Sequence, residues 1–155
     1  MDDVLDRIKG LLNSRSIPYR EVHHQPTHTS EESAKARGED ISIGGKAILM
    51  KVGEEYKLFV LSAALKIDSG KIKARFGTRR LRFATPEELL DLTGLVPGSV
   101  PPFGRPVLPF DLYLDSSITT NEKIAFNAGS LTTSIIMNCR DYLALVTPEV
   151  FDFSA

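Results

Sequence analysis

Residues 46–62 read Lys46-Ala-Ile-Leu-Met-Lys-Val52, then Gly53-Glu-Glu55, then Tyr56-Lys-Leu-Phe-Val-Leu-Ser62. The two outer pieces are apolar runs of ordinary strand length, and the glycine between them is a turn signal. The pattern therefore predicts a β-hairpin of two apolar strands.

The segments on either side of this hairpin carry helix and strand signals in irregular alternation. Helices are predicted from Val4, from Thr29 or Ser30 to Gly38, from Asp68 to Gly77, and from Thr85 to Gly94. Short strands are predicted over 17–22, 81–84, 111–115, 123–126 and 133–137, and residues 141–146 as a strand or a short helix. This order favours one α+β domain over residues 1–155, with a mixed, curved, barrel-like sheet flanked by short helices.

Composition excludes several classes of protein. The chain has 155 residues, of which 42% are hydrophobic and 25% charged, as expected for a globular domain. Its apolar runs are too short to cross a bilayer and residues 1–20 lack a signal-peptide pattern, so we expect no membrane association and a cytoplasmic location. The single cysteine, Cys139, has no ligand neighbours at metal spacing, and neither a phosphate-loop nor a Gly-x-Ser-x-Gly motif is present. We expect no metal and no cofactor.

Positive charge is concentrated in one segment. The net charge is −1, yet residues 66–82 carry seven lysines and arginines against one acid, Asp68. A segregated positive face in a nearly neutral protein indicates an anionic partner, although a solvated helix face is the simpler alternative. The candidate anion-binding residues are Lys71, Lys73, Arg75, Arg79 and Arg80.

The segment from Gly94 to Gly104 reads Gly-Leu-Val-Pro-Gly-Ser-Val-Pro-Pro-Phe-Gly. Glycine permits positive φ and proline fixes φ, so the segment controls its backbone while keeping apolar side chains. It is either a well-packed structural loop or a loop that holds its amides and carbonyls against a ligand.

Lys46 and Asn127 are the candidate polar groups at a sheet end. Lys46 opens an apolar strand, where burial can lower its pKa or fix its charge for a phosphate or a developing oxyanion. The alternative is a lysine at a strand end whose apolar stem packs on the protein and whose ammonium group is solvated, without a role in function. Asn127 and Gly129 end a later strand and can meet Lys46 at the same edge, although a simple turn also explains them.

These pieces together resemble the YbaK/ProX family of aminoacyl-tRNA deacylases, which includes the editing domain of bacterial prolyl-tRNA synthetases. The resemblance covers nearly the whole chain in order. It rests on five segments: Lys46 at the strand start, Leu65 to Gly77, Arg82 to Gly94, the Gly98-Ser-Val-Pro-Pro102 match to the Gly-x-x-x-Pro signature, and Phe126-Asn-Ala-Gly129 with Asp115.

The resemblance implies hydrolysis of the ester that joins a wrong amino acid to the terminal adenosine of a tRNA. Lys46 would hold the substrate's phosphate or amine, and Gly98 would present its backbone to the ester without a serine or cysteine nucleophile. Pro102 would fix the loop, and Tyr19 and His28 would line the amino-acid pocket with Asn127 and Gly129. An aminoacyl-tRNA synthetase is a possible partner.

Two departures from the family pattern leave the amino acid open. Ala47 follows Lys46, where relatives often carry Thr or Asn, and residues 129–134 match neither the alanine-specific nor the cysteine-specific branch. The leading hypothesis is a free-standing trans-editing deacylase that acts on a tRNA charged with a small amino acid. The alternative is a non-catalytic module of the same fold that binds tRNA or a synthetase.

Overall fold

The computed structural model describes residues 3–155, so the first two residues of the predicted domain lie outside it. Its helices are α1 (Val4–Ser14), α2 (Ser30–Arg37), α3 (Ser69–Phe76), α4 (Pro86–Thr93), α5 (Ser116–Thr119) and α6 (Cys139–Val146), with a 3-10 turn at Ile41–Ile43. Its strands are β1 (Tyr19–His23), β2 (Gly45–Val52), β3 (Glu55–Ser62), β4 (Leu81–Phe83), β5 (Leu112–Leu114), β6 (Lys123–Asn127), β7 (Thr133–Asn138) and β8 (Glu149–Val150).

The strands form two sheets. One has the order β1-β7-β6 and is antiparallel throughout; the other has the order β4-β2-β3-β5-β8 and is mixed, because β3, β5 and β8 run parallel. The predicted α+β class and mixed pairing are confirmed. The predicted barrel-like closure is wrong: within residues 3–155 neither sheet closes, and each has free edge strands.

The predicted hairpin is confirmed and lies at the centre of the larger sheet. β2 and β3 pair antiparallel from Gly45 opposite Ser62 to Val52 opposite Glu55. Leu58 and Val60 of β3 face one hydrophobic core, and Phe59 and Leu61 face a second core on the other side. Burial on both faces explains why this strand is continuously apolar instead of alternating.

A pair of glycines lets the two sheets approach each other. Gly44 forms a parallel bridge to Ala125 of β6, which joins the start of β2 to the smaller sheet. A Cβ on Gly44 would lie 2.9 Å from the Cβ of Ala63, and one on Gly45 would lie 2.7 Å from the Cδ1 of Ile124. A side chain at Gly44 would also crowd the Ile41 carbonyl oxygen, at 3.2 Å, and one at Gly45 would have to displace the Ile124 side chain. The pair therefore favours the close approach that sets Lys46 beside the end of β6.

The 94–104 loop is part of the first core. Leu95, Val100 and Phe103 are buried, whereas Val96 is 45% exposed. The ring of Phe103 packs edge-on against Phe126 at 5.4 Å between centroids. The loop is thus anchored by its apolar side chains, and the Pro97–Gly98 turn is left at the surface.

Candidate active site

A polar cavity of about 280 Å³ opens where β2 begins and β6 ends. Four residues predicted for the site line it: Lys46, Gly98, His28 and Asn127. Its other lining residues are Thr27, Thr29, Ser30, Ser33, Arg37, Gly44, Gly45, Ala47, Ile48, Ala63 and Val100. The structure therefore brings the strand-opening lysine, the glycine turn and the strand-ending asparagine into one place.

Lys46 is the half-buried cation of this cavity. Its Nζ donates a hydrogen bond to the carbonyl oxygen of Leu65 at 2.6 Å, which fixes the side chain and leaves further donors for a ligand. Burial lowers the pKa of Lys46 below its usual 10.5, and the charge of Lys66 lowers it further, against a smaller opposing effect of Glu31. The ammonium is thus held near apolar surroundings with its charge incompletely compensated.

Gly98 occupies the third position of a type II turn. The Ser99 N–H donates to the Val96 carbonyl at 3.1 Å, Pro97 is the second residue, and Gly98 has φ +88°. The Nδ2 of Asn127 donates to the Gly98 carbonyl at 2.9 Å, which ties the turn to the end of β6. Within residues 3–155 the Gly98 N–H has no hydrogen-bond acceptor, so it remains able to donate to a ligand.

Three other residues predicted for substrate contact do not line the cavity. Tyr19 opens β1 opposite Met137 and packs partly against the first core. The Pro102 carbonyl accepts a hydrogen bond from the buried Tyr142 hydroxyl at 2.5 Å. Gly129, with φ +76°, donates its N–H to the Ser99 carbonyl at 3.0 Å. Pro102 and Gly129 therefore hold the 94–104 loop in position behind the cavity.

Arg37 is a cavity residue that sequence reasoning missed. An arginine in the last turn of a helix, directly before Gly38, is typical of a solvated cation near the helix end. In the structure it is 8% exposed, and burial lowers its pKa to about 10. Its Nε donates to the Ser134 hydroxyl at 2.9 Å and its Nη2 to the Asn127 Oδ1 at 3.1 Å. No local sequence signal distinguishes this arginine from an exposed one.

Some of the predicted anion-binding cations form ion pairs with carboxylates, and others do not. Lys71 pairs with Asp152 at 3.2 Å, Arg75 pairs with Glu149 at 2.8 Å, and Arg80 pairs with Glu54. In the part of the chain that the structure describes, Lys73 and Arg79 make no ion pair. Acids distant in sequence therefore offset part of the positive charge counted along residues 66–82.

The described residues hold neither a cluster of metal ligands nor a membrane-spanning helix. Among residues 3–155, no three or more His, Cys, Asp or Glu side chains are grouped so that they could hold a metal ion. No helix there combines the length and hydropathy that crossing a membrane requires. Cys139 is buried beside the Ile118 carbonyl, and burial raises the pKa of its thiol.

Comparison with known proteins gives a consistent result. Residues 24–145 match the model of the aminoacyl-tRNA editing domain. The chain is 33% identical over 153 residues to the multifunctional Ser/Thr-tRNA deacylase ProXp-y of Escherichia coli K12, covering 95% of this chain and 90% of that protein. It is also 32% identical over 120 residues to the proline–tRNA ligase of Shouchella clausii, covering 77% of this chain but 20% of the ligase.

A solved structure shares the whole fold. The crystal structure of a candidate trans-editing enzyme for prolyl-tRNA synthetase superposes with a TM-score of 0.84 at 28% sequence identity. The match covers 100% of this chain and 99% of that one, so the fold is shared over the whole length of both.

Proposed function

Because this chain belongs to the aminoacyl-tRNA editing domain family, we propose that its polar cavity receives the aminoacyl-adenosine end of a mischarged tRNA. The protein is an aminoacyl-tRNA deacylase, and the family, enzyme class and substrate expected from the sequence are confirmed. One observation carries the placement of the site: Lys46, Gly98 and Asn127, which are distant in sequence, line the same cavity.

Water is the proposed nucleophile. Cys139 is buried in the first core, and the Ser33 hydroxyl donates to the Thr27 hydroxyl at 2.8 Å. In the described structure, none of the serine or threonine hydroxyls that line the cavity is hydrogen-bonded to a histidine, which an activated hydroxyl nucleophile would need. Water therefore adds to the ester carbonyl, and catalysis comes from positioning and from donors aimed at the developing charge.

Lys46 and Gly98 take different parts in this reaction. Lys46 is cationic and the lining residues include no carboxylate, so it favours the terminal phosphate over the substrate's amine. Gly98 offers the N–H that no protein acceptor takes, at a turn held rigid by Asn127. That amide is the proposed donor to the ester carbonyl oxygen.

Serine and threonine are the proposed amino acids. The E. coli relative is named for deacylation of Ser- and Thr-tRNA, and the cavity here is lined by hydroxyl and amide groups suited to a hydroxylated side chain. Hydrolysis of tRNA charged with serine, threonine, alanine or cysteine tests this directly. Preference for alanine or cysteine would contradict the assignment, and tRNA binding without any hydrolysis would point to the non-catalytic alternative.

The Lys46→Met variant tests the placement of the site. It removes the charge while keeping most of the apolar stem, so we expect kcat/KM to fall about a hundredfold with little change in stability, as when one well-aimed charged group is lost. Lys35→Met is the matched control, because Lys35 is exposed on α2 and does not line the cavity. Unchanged kcat/KM in Lys46→Met would remove Lys46 from the mechanism.

Three wider expectations complete the proposal. We propose that residues 1–155 act as one editing domain, that the protein works in the cytoplasm, and that a synthetase assists its binding to tRNA. The matches to proline–tRNA ligases support a synthetase partner, and the net charge of −1 gives a reason for one. Co-purification with a prolyl-tRNA synthetase from the same cells tests that partnership.

A further inference from the structure

We propose that Arg37 is a second catalytic cation of the cavity, and that its free Nη1 donates to the carbonyl oxygen of the aminoacyl ester. The inference rests on the proposed deacylase function of the same cavity. It places Arg37, the last residue of α2, in contact with the reacting ester, in addition to Lys46 and the turn that contains Gly98.

Arg37 is held rigidly by two neighbours. Its Nε and Nη2 donate to Ser134 and Asn127, and the Ser134 hydroxyl lies 3.0 Å from the same Asn127 Oδ1. His24 also contacts this group, with its Nε2 at 2.8 Å from the Ser134 hydroxyl. A planar guanidinium fixed at two nitrogens has its third nitrogen fixed as well, so little entropy is lost when Nη1 binds a ligand.

The third nitrogen reaches the cavity. Nη1 has no hydrogen-bond partner among residues 3–155, and it lies 3.6 Å from the position that a Cβ on Gly44 would take. In the described structure, no fully enclosed side-chain nitrogen or oxygen lacks a partner, so the unbonded Nη1 is not enclosed. Arg37 lines the cavity, and Nη1 is its guanidinium nitrogen without a protein acceptor among residues 3–155, so Nη1 is the donor available to a ligand there.

The charge of Arg37 is not compensated within the protein. It makes no ion pair in the described part of the chain, and the residues that line the cavity include no aspartate or glutamate. Burying a cation without a paired carboxylate costs free energy, unless a bound ligand supplies the compensating negative charge. Two cations in one cavity disfavour the substrate's ammonium there and favour an oxygen that gains negative charge.

The ester carbonyl is the group that gains such charge. When water adds to the carbonyl carbon, the π electrons move onto the oxygen and the water loses a proton to solvent. The C=O bond then re-forms, the bond to the ribose oxygen breaks, and that oxygen takes up a proton. The products are the free amino acid and a tRNA with a free terminal hydroxyl. Arg37 Nη1 would stabilise the oxyanion between these two steps.

The Asn127 side chain links Arg37 to the turn that contains Gly98. Asn127 accepts from Arg37 through Oδ1 and donates to the Gly98 carbonyl through Nδ2. One amide therefore sets the relative positions of Arg37 Nη1 and the Gly98 backbone. Two preorganised donors around one oxygen are the usual composition of an oxyanion site.

The test compares Arg37→Met, Arg37→Lys and the control Arg140→Met, an exposed arginine on α6, with Ser-tRNA and Ala-tRNA as substrates. We expect kcat of Arg37→Met to fall about a hundredfold with both substrates, with KM changed by less than about threefold, and Arg37→Lys to restore part of the rate. Unchanged kcat would overturn the assignment. A loss confined to Ser-tRNA would overturn it too, because Arg37 would then read the side-chain hydroxyl.

A second variant covers the case in which Arg37→Met does not fold. Ser134→Ala keeps the guanidinium and removes one of its anchors, so we expect a smaller fall in kcat, about tenfold, and a folded protein by circular dichroism. A folded Ser134→Ala with the wild-type rate contradicts the proposal. If the wild-type protein hydrolyses none of the tRNAs charged with serine, threonine, alanine or cysteine, the proposed function itself fails, whereas an active wild type with an unaffected Arg37→Met overturns only this inference.

Discussion

Gly98 combines a backbone requirement with a position in the lining of the polar cavity. Its φ of +88° belongs to the region that L-residues with a Cβ avoid, and its carbonyl is pinned by Asn127. An alanine Cβ there would lie 3.4 Å from the Cδ2 of Leu131, which is ordinary contact. The cost of a side chain is therefore mainly backbone strain, which would shift the turn and its free N–H.

Gly98→Ala is predicted to reduce turnover more than stability. We expect a loss of about 1–2 kcal/mol in the free energy of unfolding, measured with urea, from the left-handed backbone. We expect kcat to fall at least about tenfold, because the amide moves from its position. Gly53→Ala is the control: it has a similar φ of +61° and open space around it, but it lies in the hairpin turn. Equal kcat losses in the two variants would argue against a role for Gly98.

The pH dependence of deacylation is predicted from Lys46. Burial and Lys66 lower the pKa of Lys46, so its positive charge is lost at a pH below the usual 10.5 as the pH rises. After subtraction of the uncatalysed rate, kcat/KM is expected to decline on that alkaline side. Lys46→Arg keeps its charge throughout the range and is expected to lack the part of the decline that Lys46 causes, whereas the part due to Arg37, whose pKa is about 10, remains. An identical alkaline profile in the variant would mean that another group causes it.

At the scale of elements, the segment after β3 shows how ion pairs reduce the positive charge that the sequence predicts for residues 66–82. α3 begins at the Asp68 cap and ends at Gly77, as its sequence predicts. Two of its cations, however, pair with acids of the C-terminal segment, Lys71 with Asp152 and Arg75 with Glu149, and Arg80 after the helix pairs with Glu54 of the hairpin turn. Of the predicted anion-binding residues, Lys73 and Arg79 make no ion pair in the described structure, so we expect tRNA contacts to depend mainly on these two.

Neutralising the uncompensated cations is predicted to weaken tRNA binding more than neutralising a paired one. For Lys73→Gln with Arg79→Gln, we expect the slope of log Kd against log salt to decrease by about 2, since each phosphate contact contributes about 1. For Lys71→Gln the change should be smaller, because Asp152 already offsets that charge. If Lys71→Gln also decreases the slope by about 1, the same amount per substitution as the double variant, its ion pair with Asp152 opens when tRNA binds.

Over the whole molecule, Asp115 joins the C-terminal segment to the larger sheet. It is fully buried, caps α5 through the Ser117 N–H, and accepts from the N–H groups of Phe153 and Ser154. Burial raises the pKa of this carboxyl, but the hydrogen bonds lower it more, so the net pKa is below the usual value. The ring of Phe153 thereby stays in the second core, 5.4 Å from Phe59.

Asp115→Ala is predicted to destabilise the protein by about 3 kcal/mol in urea unfolding, because buried N–H donors lose their acceptor. Asp91→Ala, on the exposed side of α4, should change stability by less than about 0.5 kcal/mol. In the wild type, the contribution of Asp115 is present above its unfolded pKa and is lost as the pH falls through the lowered folded pKa. A loss below about 1 kcal/mol in Asp115→Ala would contradict this account.

Local signals predict most of the helices and strands, and they select four residues that line the cavity, whose role in the reaction stays a prediction. The hairpin, the caps at Thr29 and Thr85, and the stops at Gly38 and Gly94 follow from side-chain and backbone preferences within a few residues. Residues 141–146 were ambiguous because the helix actually begins at Cys139, capped by the Asn138 side chain. The short α5 and β8 were not predicted, since a single turn and a two-residue pairing leave almost no periodicity.

Lys46, Gly98 and Asn127 could be selected from sequence because each stands at an element end or turn that its residue type marks. Arg37 could not, because its burial results from α2 packing over Asn127 and Ser134, about ninety residues away in the chain. The same holds for the ion pairs that offset the 66–82 charges and for the two unclosed sheets. Propensity and capping act over a few residues, whereas burial and electrostatic pairing depend on which distant segments meet.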